Sequence, residues 1–185
     1  MSRRNFTSVN SGSMADIAFL LLIFFLLTTT ISAEKGIKRQ LPSPCIGLEN
    51  CSKTVAEENL FNIVTNAKSE LMVNNEVISV SQLRAKLKAF IDNNSKGDCG
   101  YCLGEQLPSS SQHPTKAYVA LDVHPKTKYD FYVQIQDEIS EAYYELREHY
   151  AQTILNKRAS DLTHDEILII QKAYPFNLIE VKDQD

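Results

Sequence analysis

The sequence predicts a single transmembrane helix followed by a small α/β domain with a mixed sheet. Three observations carry that prediction. Residues 14–33 form a 20-residue apolar stretch in which Asp16 is the only ionisable group. Residues 34–56 hold charges, prolines and polar side chains with no apolar periodicity. Beyond them, apolar residues fall into short strand-like runs and longer runs at helical spacing. The 185 residues, the net charge of −4 and the 43% hydrophobic content suit one globular domain plus an extension. With 6 Gly, 6 Pro and no Trp, the chain is neither fibrous nor of low complexity. Its Lys and Arg residues are scattered rather than gathered on one face, so nucleic acid is not an expected partner.

The chain divides into a short tail (1–13), the span (14–33), a linker (34–56) and the α/β domain (57–185), with an inserted loop at 93–116. A helix of 20 residues is about 30 Å long, the thickness of a hydrocarbon core. Two other readings of the span compete. A cleaved signal peptide would use Arg3 and Arg4 as its basic start, Ile17 to Leu27 as its apolar run and Ile31-Ser32-Ala33 as its cleavage site. An acid at the mouth of the run, and a bulky Ile where a small residue is preferred, speak against it. A buried helix of a soluble protein would show a polar stripe, and this run is apolar all round.

Orientation is not settled by charge, because Arg3 and Arg4 on one side face Lys35, Lys38 and Arg39 on the other. Cysteine usage is more informative. Cys45, Cys51, Cys99 and Cys102 all follow the span, which fits an oxidising compartment for the domain and an amino terminus inside the cell.

Within the domain, Leu60, Ile63 and Val64, then Leu71, Met72 and Val73, mark short strands. Asn74-Asn75 is a tight-turn dipeptide of the kind a two-residue hairpin needs. Leu83, Leu87, Phe90 and Ile91 then fall at helical spacing. The Gly-, Ser- and Pro-rich residues 93–116 read as a loop, and "AYVALDV" after it as a buried strand. Phe131, Ile135, Ile139, Tyr143, Leu146, Tyr150 and Ile154 trace one apolar face of a long helix, about 26 residues. Thr163 and Glu166 form a capping box at the start of "THDEILIIQKAY"; Pro175 ends that helix, and "FNLIEV" is a final strand.

Candidate chemistry is sparse. No phosphate-cradling Gly loop, no HExxH and no GxSxG occurs. His113, His124, His149 and His164 are dispersed and read as surface or capping residues, and nothing in the sequence activates Ser109 to Ser111. Cys99-Gly100-Tyr101-Cys102 allows three readings: a redox pair, half of a zinc site shared with Cys45 and Cys51, or structural disulfides. The structural reading is preferred, because the pair sits in a Gly-rich loop rather than at a helix start. The pairing stays open among three arrangements, of which 45–51 with 99–102 is the simplest. No metal, no cofactor and no enzymatic activity are expected.

Asp16 is the remaining puzzle. It could snorkel to water, or serve as a helix-start acid favoured by the dipole. The functional reading is a group that takes up and releases protons. An ionisable side chain inside a membrane is costly and faces a partner or a water path. A proton falling through about 100 mV yields roughly 2.3 kcal/mol. One helix cannot make a channel, so this reading requires other membrane chains. Thr28, Thr29 and Thr30 could line a polar path, although threonines in spans also bond harmlessly to their own backbone.

The stretch "MADIAFLLLIFFLLTTT", with the basic-then-"QLP" segment after it, resembles the ExbD/TolR family of biopolymer-transport proteins. "LFNIVTNAKSELMVNNEVIS", and "KAYVALDV" through "YDFYVQI", resemble the family's domain more loosely. The resemblance implies a non-enzymatic subunit of an inner-membrane motor driven by the proton motive force. It implies a dimer whose spans lie inside a ring of ExbB/TolQ-type subunits, with a cytoplasmic amino terminus and a periplasmic domain engaging a TonB- or TolA-type protein. It carries the proton-binding role onto Asp16 alone. The loop at 93–116, the long helix and the helix after it depart from the family's pattern. The alternative is a passive anchored or secreted α/β binding module with structural disulfides, and a third reading is a thiol-redox protein working through Cys99 and Cys102.

Overall fold

The computed structural model describes residues 11–29 and 55–181. The chain divides into two compact units between Cys51 and Ser52. In the first, helix α1 runs Ser11–Thr28. Its 18 residues give a length of about 27 Å, and none of its side chains is buried. It is long and apolar enough to cross a membrane. Residues 30–33 of the expected span, and the linker up to residue 54, lie outside the described residues.

The second unit is built on a five-stranded mixed sheet in the order β3-β2-β1-β4-β5. Its elements are β1 (Leu60–Thr65), β2 (Leu71–Val73), β3 (Glu76–Ile78), α2 (Val80–Ile91), β4 (Tyr118–Val123), α3 (Tyr129–Thr153), α4 (His164–Ala173) and β5 (Leu178–Val181). β1, β2 and β3 pair antiparallel as a meander. β4 lies parallel to β1, and β5 parallel to β4. Helical crossovers supply the two parallel joins, as parallel pairing requires.

Local chemistry explains the element ends. Asn74 and Asn75 both have positive φ (45° and 68°), the pair of left-handed residues that a two-residue hairpin turn demands. The turn closes Val73 onto Glu76, and the Asn74 side chain accepts from the Asn62 amide at 3.0 Å. Ser79 and Gln82 form a capping box at the start of α2, and Thr163 and Glu166 do the same for α4.

The core lies on one face of the sheet. Phe61 and Ile63 of β1, Leu71 and Val73 of β2, and Val119 and Leu121 of β4 pack with Leu83, Leu87, Phe90 and Ile91 of α2 and with Ile135, Ile139, Tyr143 and Leu146 of α3. The spacing-derived faces of both helices are therefore the buried ones. Ile154 is the exception. It is 47% exposed, because α3 ends at Thr153 and Asn156 (φ 53°) turns the chain away.

The loop at 93–116 is tightly organised. Asn93, almost fully buried, donates to the Leu107 and Ser111 carbonyls and accepts from the Leu107 amide. Asn94 brackets Cys99, accepting from its amide and donating to its carbonyl, both at 3.1 Å. Gly104 passes so close to α2's end that a Cβ there would lie 2.4 Å from Asn93 Cα and from the Asp92 carbonyl oxygen. Only glycine fits that approach. Ser111 is buried, its hydroxyl donating to the His113 carbonyl at 3.1 Å, a structural use of the serine cluster.

Candidate functional site

Asp16 is the sixth residue of α1, so it lies beyond the first turn, which holds no acid. Only the first turn leaves backbone N–H groups without helical partners. Asp16 is thus too far along to serve those donors or the dipole as a helix-start acid. Residues three and four apart share a helix face. Gly12 and Ser13 therefore stand on Asp16's face on one side, and Phe19 and Leu20 on the other. A neighbouring helix can come close where Gly12 and Ser13 leave room, at the level of the carboxyl. The aliphatic and Phe side chains of α1 are exposed. Their exposure suits a lipid or protein surround.

The threonines at the other end are held by their own helix. Thr28 Oγ1 donates to the Phe24 carbonyl at 2.8 Å and Thr29 Oγ1 to the Phe25 carbonyl at 2.7 Å. Hydroxyls bonded in this way need no water or partner to satisfy them. Thr30 lies outside the described residues.

In the second unit the candidate thiols and histidines are placed as follows. Cys99 and Cys102 are joined in a disulfide with Cα atoms 5.6 Å apart. Cys45 and Cys51 lie outside the described residues. The Cys99–Cys102 loop opens no helix, unlike the setting in which a dithiol is activated at a helix start. Among the described residues, no group of three or more His, Cys, Asp or Glu could hold a metal ion. His113 Nδ1 meets Thr115 Oγ1 at 2.8 Å and caps the 3-10 turn Pro114–Lys116. His124 Nδ1 accepts from the Lys126 amide at 3.1 Å. His149 and His164 are exposed. No two histidines share a site.

Two arrangements escape sequence reasoning. One is an ion-pair network between α2 and α3. Arg84 Nε lies 2.7 Å from Glu138 Oε2, and Glu145 receives Arg84 at 3.2 Å and Lys88 at 2.5 Å. The hydrogen bond from Lys88, with a smaller one from Arg84, holds the Glu145 carboxyl below the usual carboxylate range. The i, i+4 spacing of Arg84 and Lys88 was visible in the sequence, but not which acids would face them.

The other arrangement is an aromatic socket. Tyr101, between the two bonded cysteines, meets His113, Tyr150 and Tyr174 edge to face at centroid distances of 5.9, 5.1 and 5.4 Å. Its hydroxyl donates to the Ala173 carbonyl at 3.0 Å. Burial, with Tyr150 and Asp92 nearby, pushes its phenol up to about 12. Tyr174 donates to Asp92 Oδ1 at 2.6 Å, and burial followed by that carboxylate raises its phenol well above the ordinary value. Arg147 donates to the Tyr174 carbonyl from Nε and Nη2; its burial lowers the guanidinium. These hydrogen bonds hold α2, α3 and the end of α4 together. Arg147 also lines a shallow cavity with Tyr144, Glu148, Leu162, Ile167 and Ile170, but no second titratable group of the socket joins it there.

An α/β domain preceded by a helix long and apolar enough to cross a membrane, with no catalytic constellation among the described residues, is the class these features define. The sequence profile of the biopolymer transport protein ExbD/TolR family matches residues 2–147, from the tail before α1 to six residues before the end of α3. The chain belongs to the ExbD/TolR family. A search of curated proteins gives no match. Proteins of this family sit in the inner membrane, act as transport accessories rather than enzymes, and work with ExbB/TolQ and TonB/TolA proteins in energising biopolymer transport.

Proposed function

We propose that this chain is the proton-coupled subunit of an inner-membrane motor of the ExbB/ExbD or TolQ/TolR type. Asp16 is the proton-binding group. The observation that carries the reading is its position: the one ionisable side chain of an 18-residue apolar helix, beyond the first turn, on the face that also holds Gly12 and Ser13. Taking up a proton neutralises the carboxylate; releasing it restores a charge that a hydrocarbon surround disfavours. A cycle between the two states, driven by a membrane potential of about 100 mV, makes roughly 2.3 kcal/mol available per proton. That suffices to shift a two-state arrangement by well over tenfold.

Asp16 needs a surround that one helix cannot give. Two copies of α1 within a ring of multi-span ExbB/TolQ-like subunits would supply it. The amino terminus would be cytoplasmic and the α/β domain periplasmic. The bonded Cys99–Cys102 pair supports that orientation, because disulfides persist in oxidising compartments. A TonB- or TolA-like protein would receive the force on the periplasmic side and pass it to the outer membrane.

The test is substitution of Asp16 in cells that depend on this chain. Asp16→Asn keeps the shape and removes the titration. It should insert and accumulate at the wild-type level while transport is lost, and Asp16→Glu should recover part of it. Full transport by Asp16→Asn would leave the chain a passive anchor.

A further inference from the structure

Helix α4 and strand β5 lie beyond the residues that the family profile matches, and α4 is lightly held. Of its ten residues only Ile170 and Ala173 are buried, while Ile167, Leu168 and Ile169 remain 38–48% exposed. The Lys157–Glu166 ion pair holds its start, and further anchorage gathers where it ends. There, the Ala173 carbonyl accepts from the Tyr101 hydroxyl, and Tyr174 is gripped by Asp92 through its hydroxyl and by Arg147 through its carbonyl. Tyr101 stands inside the four-residue disulfide loop, and Asp92 is tied to that loop by accepting from the Leu103 amide at 2.9 Å. The short covalent ring therefore fixes the direction of the one side chain that plugs the Tyr150–Tyr174–His113 socket.

We propose that the Cys99–Cys102 disulfide is a redox-sensitive latch. Closed, it holds Tyr101 in the socket and α4 against the domain; opened, it frees Tyr101 and releases α4. The reductant is a dithiol, the chemistry of a thiol–disulfide exchange protein. One thiolate attacks Cys102 Sγ, which is half-buried, whereas Cys99 is 7% exposed. The Cys99–Cys102 bond breaks as the mixed disulfide forms, and Cys99 leaves as a thiolate that takes up a proton. The second thiol of the reductant then displaces Cys102, so two electrons and two protons pass to the latch and the reductant ends as a disulfide. Asn94 still brackets Cys99 from both sides after reduction, so the loop's root stays in place. Freedom is gained at Tyr101 and beyond, where covalent closure was the constraint.

The full chain in lipid nanodiscs, with Cys45→Ser and Cys51→Ser to leave one reducible pair, is the material for the test. Amide hydrogen exchange is compared between the oxidised protein and the same protein treated with a dithiol. Reduction should speed exchange in residues 164–173 by about tenfold or more while β1 and α2 stay within about twofold. Tyr101→Ala, kept oxidised, should reproduce the same local pattern. Equal exchange of α4 in both redox states would overturn the latch. So would a uniform acceleration across β1, α2 and α4, which would mean loss of stability everywhere, and so would slow α4 exchange in Tyr101→Ala.

Discussion

Tyr174 and Asp92, 82 residues apart in sequence, meet through a 2.6 Å hydrogen bond from the phenol to the carboxylate. The contact joins the end of α4 to the end of α2, and so ties residues past the family profile's match to the part of the domain that it covers.

Tyr174→Phe removes that bond and leaves the ring in place. Hydrogen bonds to charged groups contribute about 1.5–3 kcal/mol, so unfolding should become easier by about 2 kcal/mol. Denaturant unfolding followed by tyrosine fluorescence, usable because the chain has no Trp, should show a lower midpoint with an unchanged slope. An unchanged midpoint would mean that the contact contributes nothing net.

The shared core of α2, α3 and the sheet should be far more sensitive. Ile139 is fully buried among core residues, and Ile139→Ala should cost about 2–5 kcal/mol through lost burial and the cavity left behind. The same truncation at Ile154, 47% exposed, should change the unfolding midpoint little. This pair of outcomes also tests where the apolar stripe of α3 stops being core.

The start of α4 should be acid-sensitive. Lys157, followed by the Thr163 amide and hydroxyl, holds the Glu166 carboxyl down at about 2, from 4.5. A carboxylate depressed in the folded state stabilises the fold above its unfolded value, and that stabilisation fades as pH falls through the folded value. The contribution should be complete above pH 4.5 and disappear between about pH 4.5 and 2. Hydrogen exchange in α4, taken relative to the intrinsic rate at each pH, should accelerate down this range in the wild type. In Glu166→Gln the acceleration should be smaller, since the titration is gone. Thr163→Ala, which removes the cap, should cost about 1 kcal/mol at neutral pH.

Much of this architecture was legible before the structure, and for local reasons. Leu83, Leu87, Phe90 and Ile91 announce α2 because helical spacing places them on one face; Asn74-Asn75 announces the hairpin because both residues tolerate positive φ. Thr163 and Glu166 announce α4 because the capping box is a four-residue signal. What the sequence could not show is long-range. Tyr101 stands plainly between two cysteines, yet its partners Ala173 and Tyr174 lie more than 70 residues away. The pairing of Arg84 with Glu138 and Glu145 depends on how two helices cross. Helix α1 is described from Ser11, three residues before the 14–33 span that apolarity marks out.

The threonines of α1 should be dispensable. Because Thr28 and Thr29 bond to their own helix, the double change to Val should leave insertion and transport at wild-type levels. A loss of transport comparable to that of Asp16→Asn would make the hydroxyls part of the proton path.

The proton-carrying role of Asp16 is tested most directly by proton flux. The full chain is reconstituted in vesicles with the proposed ExbB/TolQ-like ring subunit, a potential of about 100 mV is imposed, and acidification of the interior is recorded. Flux should be present with the wild-type chain, reduced with Asp16→Glu and at the level of empty vesicles with Asp16→Asn. Equal flux with wild type and Asp16→Asn would contradict the account.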